Sequence, residues 1–269
     1  MSAFSPEIAA KAKLSKDLAD KASSLHMAIH LNPMLVEVAV IDPETGLSLW
    51  LDQFHVLSES NEDLTGAVNF VKHTNWGESV FRKTTISFDN PDFTLAPQGF
   101  ILPGKERELL EFNTQREADC PEVYMISEIG AGVIYDLPIT VQSLAARFPN
   151  ARFFPASGLF LKHAAAVSVD QDAFHVLVQQ GHMIVIAFHE GQVKLTNHYG
   201  VQSHDDVLYH VSNAAMRLGM HLEATKLSLY GSGANADLKK LLGVYIRDVH
   251  FWEKGRFEYF SVLIHSLCA

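Results

Sequence analysis

The chain spells out one succession of elements twice. The run Leu25 to Leu31 predicts a strand, followed by Asn32-Pro33 and a second strand over Met34 to Ile41. The run Phe174 to Gln180 predicts another strand, followed by Gly181-His182 and a partner over Met183 to His189. His26 falls on His175, Met34 on Met183 and Val36 on Val185, a spacing of 149. Each hairpin leads through a turn into a third strand. Pro43-Glu44-Thr45-Gly46 precedes Leu47 to Leu57, and Glu190-Gly191 precedes Gln192 to Val201.

Beyond the third strand the spacing drops to 143 and the match continues: Ser60-Asn61-Glu62-Asp63 falls on Ser203-His204-Asp205-Asp206. Ser-x-x-Asp is a variant of the capping box. The serine oxygen accepts from an orphan amide, and the acids sit at the positive end of the helix dipole. Leu64, Ala67, Val68 and Val71 then recur at helical spacing, as do Val207, Val211, Ala214, Ala215 and Leu218. A strand follows each helix, over Thr84 to Phe88 and Lys226 to Tyr230. Both halves therefore read strand, strand, strand, helix, strand.

The remainder is less regular. Residues 1–24 combine lysines and acids with many alanines and predict an exposed N-terminal segment. The first lobe is expected over 25–155, with a Pro- and charge-rich insertion near 89–119 read as loop and short helix. Strands are expected over Val123 to Ile126 and Val133 to Leu137, a helix over Ile139 to Phe148, and a short buried strand over Arg152 to Phe154. The second lobe is expected over 156–269. It carries helices at Leu159 to Ala166 and Asp237 to Leu242, a strand over Val244 to His250, and an apolar tail over Phe257 to Leu267. The fold class is α/β: two lobes, each a mixed sheet flanked by helices.

Charge narrows the range of partners. With 21 Lys and Arg against 31 Asp and Glu, the formal net charge is −10 and there is no cationic run, which argues against nucleic acid. The longest apolar run, Met183 to Phe188, is far short of a bilayer span. The N-terminus lacks the pattern of a secretory signal, and Cys120 and Cys268 alone make neither a disulfide framework nor a zinc site. A cytoplasmic location without a membrane span is the expectation.

Two tandem copies of this plan resemble the actin-like ATPase superfamily, whose halves are ribonuclease-H-like. A closer resemblance runs through Lys194-Leu195-Thr196-Asn197-His198-Tyr199, Asp205-Asp206 with Leu208-Tyr209, Leu229-Tyr230-Gly231, and Tyr245-Ile246-Arg247-Asp248-Val249. Together with Phe100-Ile101-Leu102-Pro103 and Glu111-Phe112-Asn113, these look like an uncharacterised bacterial family, domain-of-unknown-function family 3822. The resemblance implies an actin-like fold and no particular activity.

The superfamily also implies where a nucleotide sits: between the halves, gripped by a tight hairpin from each, with glycine, hydroxyl and carboxylate groups. Glycine lets amides approach phosphate, and carboxylates hold hydrated Mg²⁺. Here the hairpins read Asn32-Pro33-Met34 and Gln180-Gly181-His182. Pro33 removes an amide donor, and only Gly181 survives in the second. No acid lies on the first strand of either half, and Glu37 sits on a second strand where alternation leaves its direction open. Leu229-Tyr230-Gly231-Ser232-Gly233-Ala234 resembles the superfamily's adenosine-packing turn, with Asp89-Asn90-Pro91 its first-half counterpart. Gly181, Gly231, Ser232 and Gly233 are thus the candidate nucleotide-binding residues; a plain turn is the other reading of Gly231 to Gly233.

Other chemistry finds little support. Among 14 histidines, His26 and His30 share a strand face, and His198, His204 and His210 cluster around the third strand and capped helix of the second half. Helix-face pairing of Asp206 with His210 explains these residues better than metal, and no catalytic or metal residue is assigned. A ribonuclease-H nuclease needs acids that the first strand lacks. No hydrolase or kinase motif is present. The aromatic group Phe153, Phe154, Phe160, Phe251, Trp252 and Phe260 reads as core and inter-lobe packing. The sequence therefore favours a non-catalytic interaction or regulatory scaffold with an unidentified protein partner or self-association, and no cofactor. An ATP-binding protein or slow ATPase is the alternative.

Overall fold

A computed structural model describes residues 12–57, 63–168, 172–253 and 256–268. The first helix among the described residues, α1 (Lys16–Asp20), is capped by Ser15, whose hydroxyl accepts from Leu18 N. It leads to β1 (His26–Asn32), β2 (Leu35–Ile41) and β3 (Ser48–His55), then α2 (Thr65–His73) and β4 (Lys83–Phe88). With β8 (Ala151–Pro155) these strands form a five-stranded sheet in the order β3-β2-β1-β4-β8. The second half supplies β9 (Ala173–Gln179), β10 (His182–His189) and β11 (Gln192–Gly200), then α6 (His204–Leu218), β12 (Lys226–Tyr230), α7 (Ala236–Leu242) and β13 (Asp248–Phe251). Its sheet runs β11-β10-β9-β12-β13, the same order. In both, the first three strands are antiparallel and the last two pair in parallel.

Pairing refines the correspondence between halves. Asn32 opposes Leu35 at the first hairpin and Gln179 opposes His182 at the second. Asn32 therefore corresponds to Gln179, a spacing of 147 in place of the 149 expected, and His175 corresponds to Ala28 rather than His26. A two-residue shift preserves strand parity, which is why apolar matching alone does not detect it. Each hairpin carries a bulge into its third strand, between Val40 and Ile41 in one and between Ala187 and Phe188 in the other, matched positions at that spacing.

Each lobe has its own core. Met27, Ile29 and Leu31 of β1 face Val68 and Val71 of α2, with Trp76 beneath. Phe174, Val176 and Val178 of β9 face Val207 and Val211 of α6. The α6 capping box is complete: Ser203 Oγ accepts from Asp206 N, and the Asp206 carboxylate accepts from Ser203 N. Ser60, Asn61 and Glu62 of the first-half box lie outside the described residues; Asp63 Oδ1 accepts from Thr65 N at 2.8 Å.

Within the region 89–119 the expected short helix is present, and a strand takes the place of part of the expected loop. The region contributes β5 (Phe93–Pro97) and α3 (Glu106–Thr114), and β5 joins β6 (Pro121–Ile126) and β7 (Ala131–Asp136) in a separate three-stranded sheet. Short, proline-flanked β5 gains order from its antiparallel ladder with the buried β7, a non-local pairing that local pattern does not reveal. The Ile139 to Phe148 helix is a single turn, α4 (Ile139–Gln142), that tightens into a 3-10 turn over Ser143–Ala146. Strand β13 starts at Asp248; the chain from Val244 instead closes the end of α7, with Val244 and Tyr245 exposed.

Between the two five-stranded sheets the covering helices cross over. Helix α5 (Ala156–Val167) follows directly from β8, yet its Leu159, Phe160, Leu161 and Ala164 pack on Leu177, Ile184, Ile186 and Phe188 of the second sheet. The apolar tail forms α8 (Phe260–Leu263) and α9 (His265–Cys268), and Val262 packs on Ala28, Ala39 and Ile41 of the first sheet.

Candidate functional site

The tips of the two inner hairpins and the ends of β4 and β12 converge between the lobes, where the actin-like resemblance locates a triphosphate. At the first hairpin Asn32 Oδ1 accepts from Met34 N at 2.9 Å, closing the Pro33-Met34 turn. Asn32 Nδ2 donates to Asp89 Oδ2 at 2.9 Å. Asp89 is held at the end of β4 by its own amide, which donates to Leu31 O. The second lobe repeats the arrangement with weaker chemistry: Ser232 Oγ donates to Gln179 Oε1 at 3.5 Å, and Gln179 and Ser232 are the counterparts of Asn32 and Asp89.

Asp89 is the electrostatic centre of the cleft. Its Oδ2 lies 3.2 Å from His182 Nε2 and 3.5 Å from His30 Nε2, and all three side chains are almost wholly buried. Burial alone would raise the Asp89 pKa, but the two imidazoles hold it well below the usual carboxylate range. His30 shows the reciprocal balance. Burial disfavours its charged form, the Asp89 carboxylate more than offsets that, and its pKa is raised. Glu37, directly opposite His30 on β2, is fully buried rather than facing solvent. Burial pushes its carboxyl up to about 7, against the pull of His30.

From His30 a polar chain runs in both directions. Its Nδ1 lies 2.9 Å from Ser87 Oγ, and His265 bridges Ser87 and Thr85 at 2.7 and 2.6 Å. Thr85 in turn lies 2.7 Å from His26 Nε2, so the two histidines sharing a β1 face belong to one buried network. On the other side Gln179 Nε2 lies 3.1 Å from His30 Nε2 and donates to Ser261 Oγ, linking both lobes to α8. His182 stacks on His198 with ring centroids 4.7 Å apart.

The four candidate nucleotide residues all lie beside the second hairpin. Gly181 (φ +84°) makes its turn, and its carbonyl accepts from Val201 N. Gly231 has φ +90°, and a Cβ there would meet Val178 O at 2.4 Å. A Cβ on Gly233 would meet Val178 Cγ1 at 2.8 Å. Close approach to β9 therefore accounts for both glycines. Ser232 is the one of the four that reaches the cleft network, through Gln179.

The remaining histidines are engaged elsewhere. His210 stacks on Tyr199 at 4.1 Å, and His204 Nε2 lies 3.1 Å from Asn235 Nδ2. Among the described residues, no group of three His, Cys, Asp or Glu is arranged to hold a metal ion, and no helix is long and apolar enough to cross a membrane. Asp89, His182 and Gln179 escape a motif-based reading. Their only signals are the placement of Asp89 at the position matching Ser232 and a histidine at the turn of the second hairpin.

A model of the family described as "Protein of unknown function (DUF3822)" matches residues 15–249. No curated protein matches the chain. Among solved structures, it is similar to a Bacteroides thetaiotaomicron protein with an actin-like ATPase fold and unknown function. That likeness has a TM-score of 0.81 at 18% identity and covers 93% of this chain and 98% of the other. It is also similar to a chain of the PilM-PilN type IV pilus biogenesis complex, with a TM-score of 0.57 at 9% identity over 90% of this chain and 97% of that one. The fold is that of the actin-like ATPases.

Proposed function

The chain belongs to the DUF3822 family of proteins of unknown function, and from that premise we propose that it is a non-catalytic interaction or regulatory scaffold built on an actin-like frame. The observation that carries this reading is the state of Asp89, a buried carboxylate between the tips of the two inner hairpins. It is committed to Asn32, His182 and His30. All of these contacts fall on Oδ2; Oδ1 is buried with no hydrogen-bond partner among the described residues, so it is shielded from a hydrated Mg²⁺, which keeps several of its waters, rather than presented to one. Pro33 offers no amide to a phosphate, and the adjacent Met34 amide is already bonded to Asn32. Phosphoryl transfer depends on metal and positioned donors, so their loss together removes the basis of catalysis. The scaffold would act through an unidentified protein partner or self-association. A structural neighbour of the same fold, the PilM-PilN complex, joins two proteins and fits this reading.

The alternative, a nucleotide-binding protein using Gly181, Gly231, Ser232 and Gly233, rests on Ser232 lying near the cleft. A thermal-shift titration with Mg-ATP separates the two. Ligand at a hundredfold excess over Kd stabilises by about 2.7 kcal/mol, so binding shows as a saturable rise in Tm. The scaffold reading expects no rise at millimolar Mg-ATP. A saturable rise that Ser232→Ala weakens would establish the alternative.

A further inference from the structure

A cavity of about 250 Å³ lies at the end of the first sheet remote from the hairpin tips, where His26 opposes Ile41. Against the ~30 Å³ share of one water, that is room for a tetrahedral oxyanion and a short organic chain. His26 of β1, Arg82 and Lys83 where β4 begins, and His265 and Ser266 of α9 make its polar lining. We propose that this cavity binds a phosphoryl group, as free phosphate or as a small phosphate monoester.

The polar chain that starts at His30 ends at this cavity. Beside the Asp89 carboxylate His30 is an imidazolium, so both of its nitrogens donate. Its Nδ1–H goes to Ser87 Oγ, whose single proton then goes to His265 Nε2. Burial holds His265 and His26 below the ordinary imidazole range, His26 at about 4, so each ring is neutral and carries one N–H. His265 Nδ1–H therefore donates to Thr85 Oγ1, and the Thr85 hydroxyl donates to His26 Nε2. The His26 proton is left on Nδ1, which has no hydrogen-bond partner among the described residues and is open to the cavity rather than sealed in the core. It presents a fixed N–H donor to whatever fills the space.

Charge in the lining is of one sign. The exposed Arg82 guanidinium makes no ion pair among the described residues. The half-buried Lys83 ammonium is lowered by burial and by its neighbours Arg152 of β8 and Lys162 of α5, so the cations at this end of the sheet repel one another. Asp42, between Ile41 and Pro43, spends its carboxylate on Glu44 N and Thr45 within its own turn. Ser266 Oγ donates to Leu263 O and adds no donor. The second lobe provides the contrast: Lys226, the counterpart of Lys83, lies beside Asp248 of β13, whereas the residue at that position in the first lobe is Asn150. One guanidinium, one ammonium and one N–H suit a phosphoryl group, with its charge of about −2 and three acceptor oxygens, better than a lone carboxylate.

The test titrates the full chain with inorganic phosphate, and separately with glycerol 3-phosphate, at constant ionic strength, while the ring nitrogens of the histidines are followed by NMR. Before ligand is added, the His26 signals should report a proton on Nδ1. Those signals and Tm should then shift saturably at millimolar ligand, and Arg82→Gln or Lys83→Gln should weaken binding about tenfold. The general stabilisation that phosphate gives a folded protein does not saturate and would be shared by both variants. Arg82 is exposed, so Arg82→Gln preserves the test if Lys83→Gln does not fold. Tighter binding of free phosphate would identify the ion as the ligand and tighter binding of the ester an organic phosphate; either upholds the site. A His26 proton on Nε2, His26 signals unmoved by both ligands, movement confined to His30 and His182, or full affinity in folded Arg82→Gln would overturn the proposal.

Discussion

Asp89 and Glu37 are two buried carboxyls of one cleft held in opposite protonation states. Removing Asp89 leaves His30 buried without its counter-charge, so Asp89→Ala should destabilise by about 3–5 kcal/mol in urea unfolding. A change under about 1 kcal/mol would mean that the cluster is solvated in solution. Glu37 gives a pH dependence with a definite sign. Its folded pKa of about 7 exceeds the ordinary value of 4.5, so the folded state holds the proton over that interval. Its contribution is complete below 4.5 and is lost as pH rises through about 7. Relative to Glu37→Gln, the protein should lose on the order of 3 kcal/mol between pH 4 and pH 8. A constant difference across that interval would contradict burial of an ionisable Glu37. Asp89 works the other way: its pKa is depressed, and its contribution is lost only at strongly acid pH, as the carboxylate protonates.

Among the elements, those whose residues satisfy themselves locally were the legible ones. Helix α6 follows from its capping box and apolar stripe, and Ser203→Ala should cost about 1 kcal/mol by chemical denaturation. The inner hairpins follow from their apolar runs. Strand β5 and the start of β13 did not follow, because their order comes from partners distant in sequence. The glycine turn after β12 was visible as a turn, but its reason was not: Gly231 is needed because β9 passes against it. Gly231→Ala combines a positive φ with a backbone clash and should destabilise by about 2 kcal/mol or more, well beyond the effect at an open turn glycine such as Gly46. Equal effects at the two positions would show that β9 yields.

On the scale of the whole molecule, the repeated plan was readable because parity and order survive where register does not. The polar cleft was not readable, since it forms only when β1, β4, β9, β10 and α8 meet. The crossed helices make the lobes interdependent. Val262→Asp would put an unpaired charge against Ala28, Ala39 and Ile41, and both lobes should lose stability together in a single transition of lower Tm. Two separate transitions would show lobes that fold alone. The most direct measurement of the central claim is an NMR spectrum of the histidine side chains recorded with and without millimolar Mg-ATP. A cleft closed by Asp89, His30 and His182 predicts a His30 ring that stays protonated above its ordinary pKa and signals that Mg-ATP leaves in place. A His30 ring titrating as a free imidazole, or His30 and His182 signals that shift saturably with Mg-ATP, would contradict it.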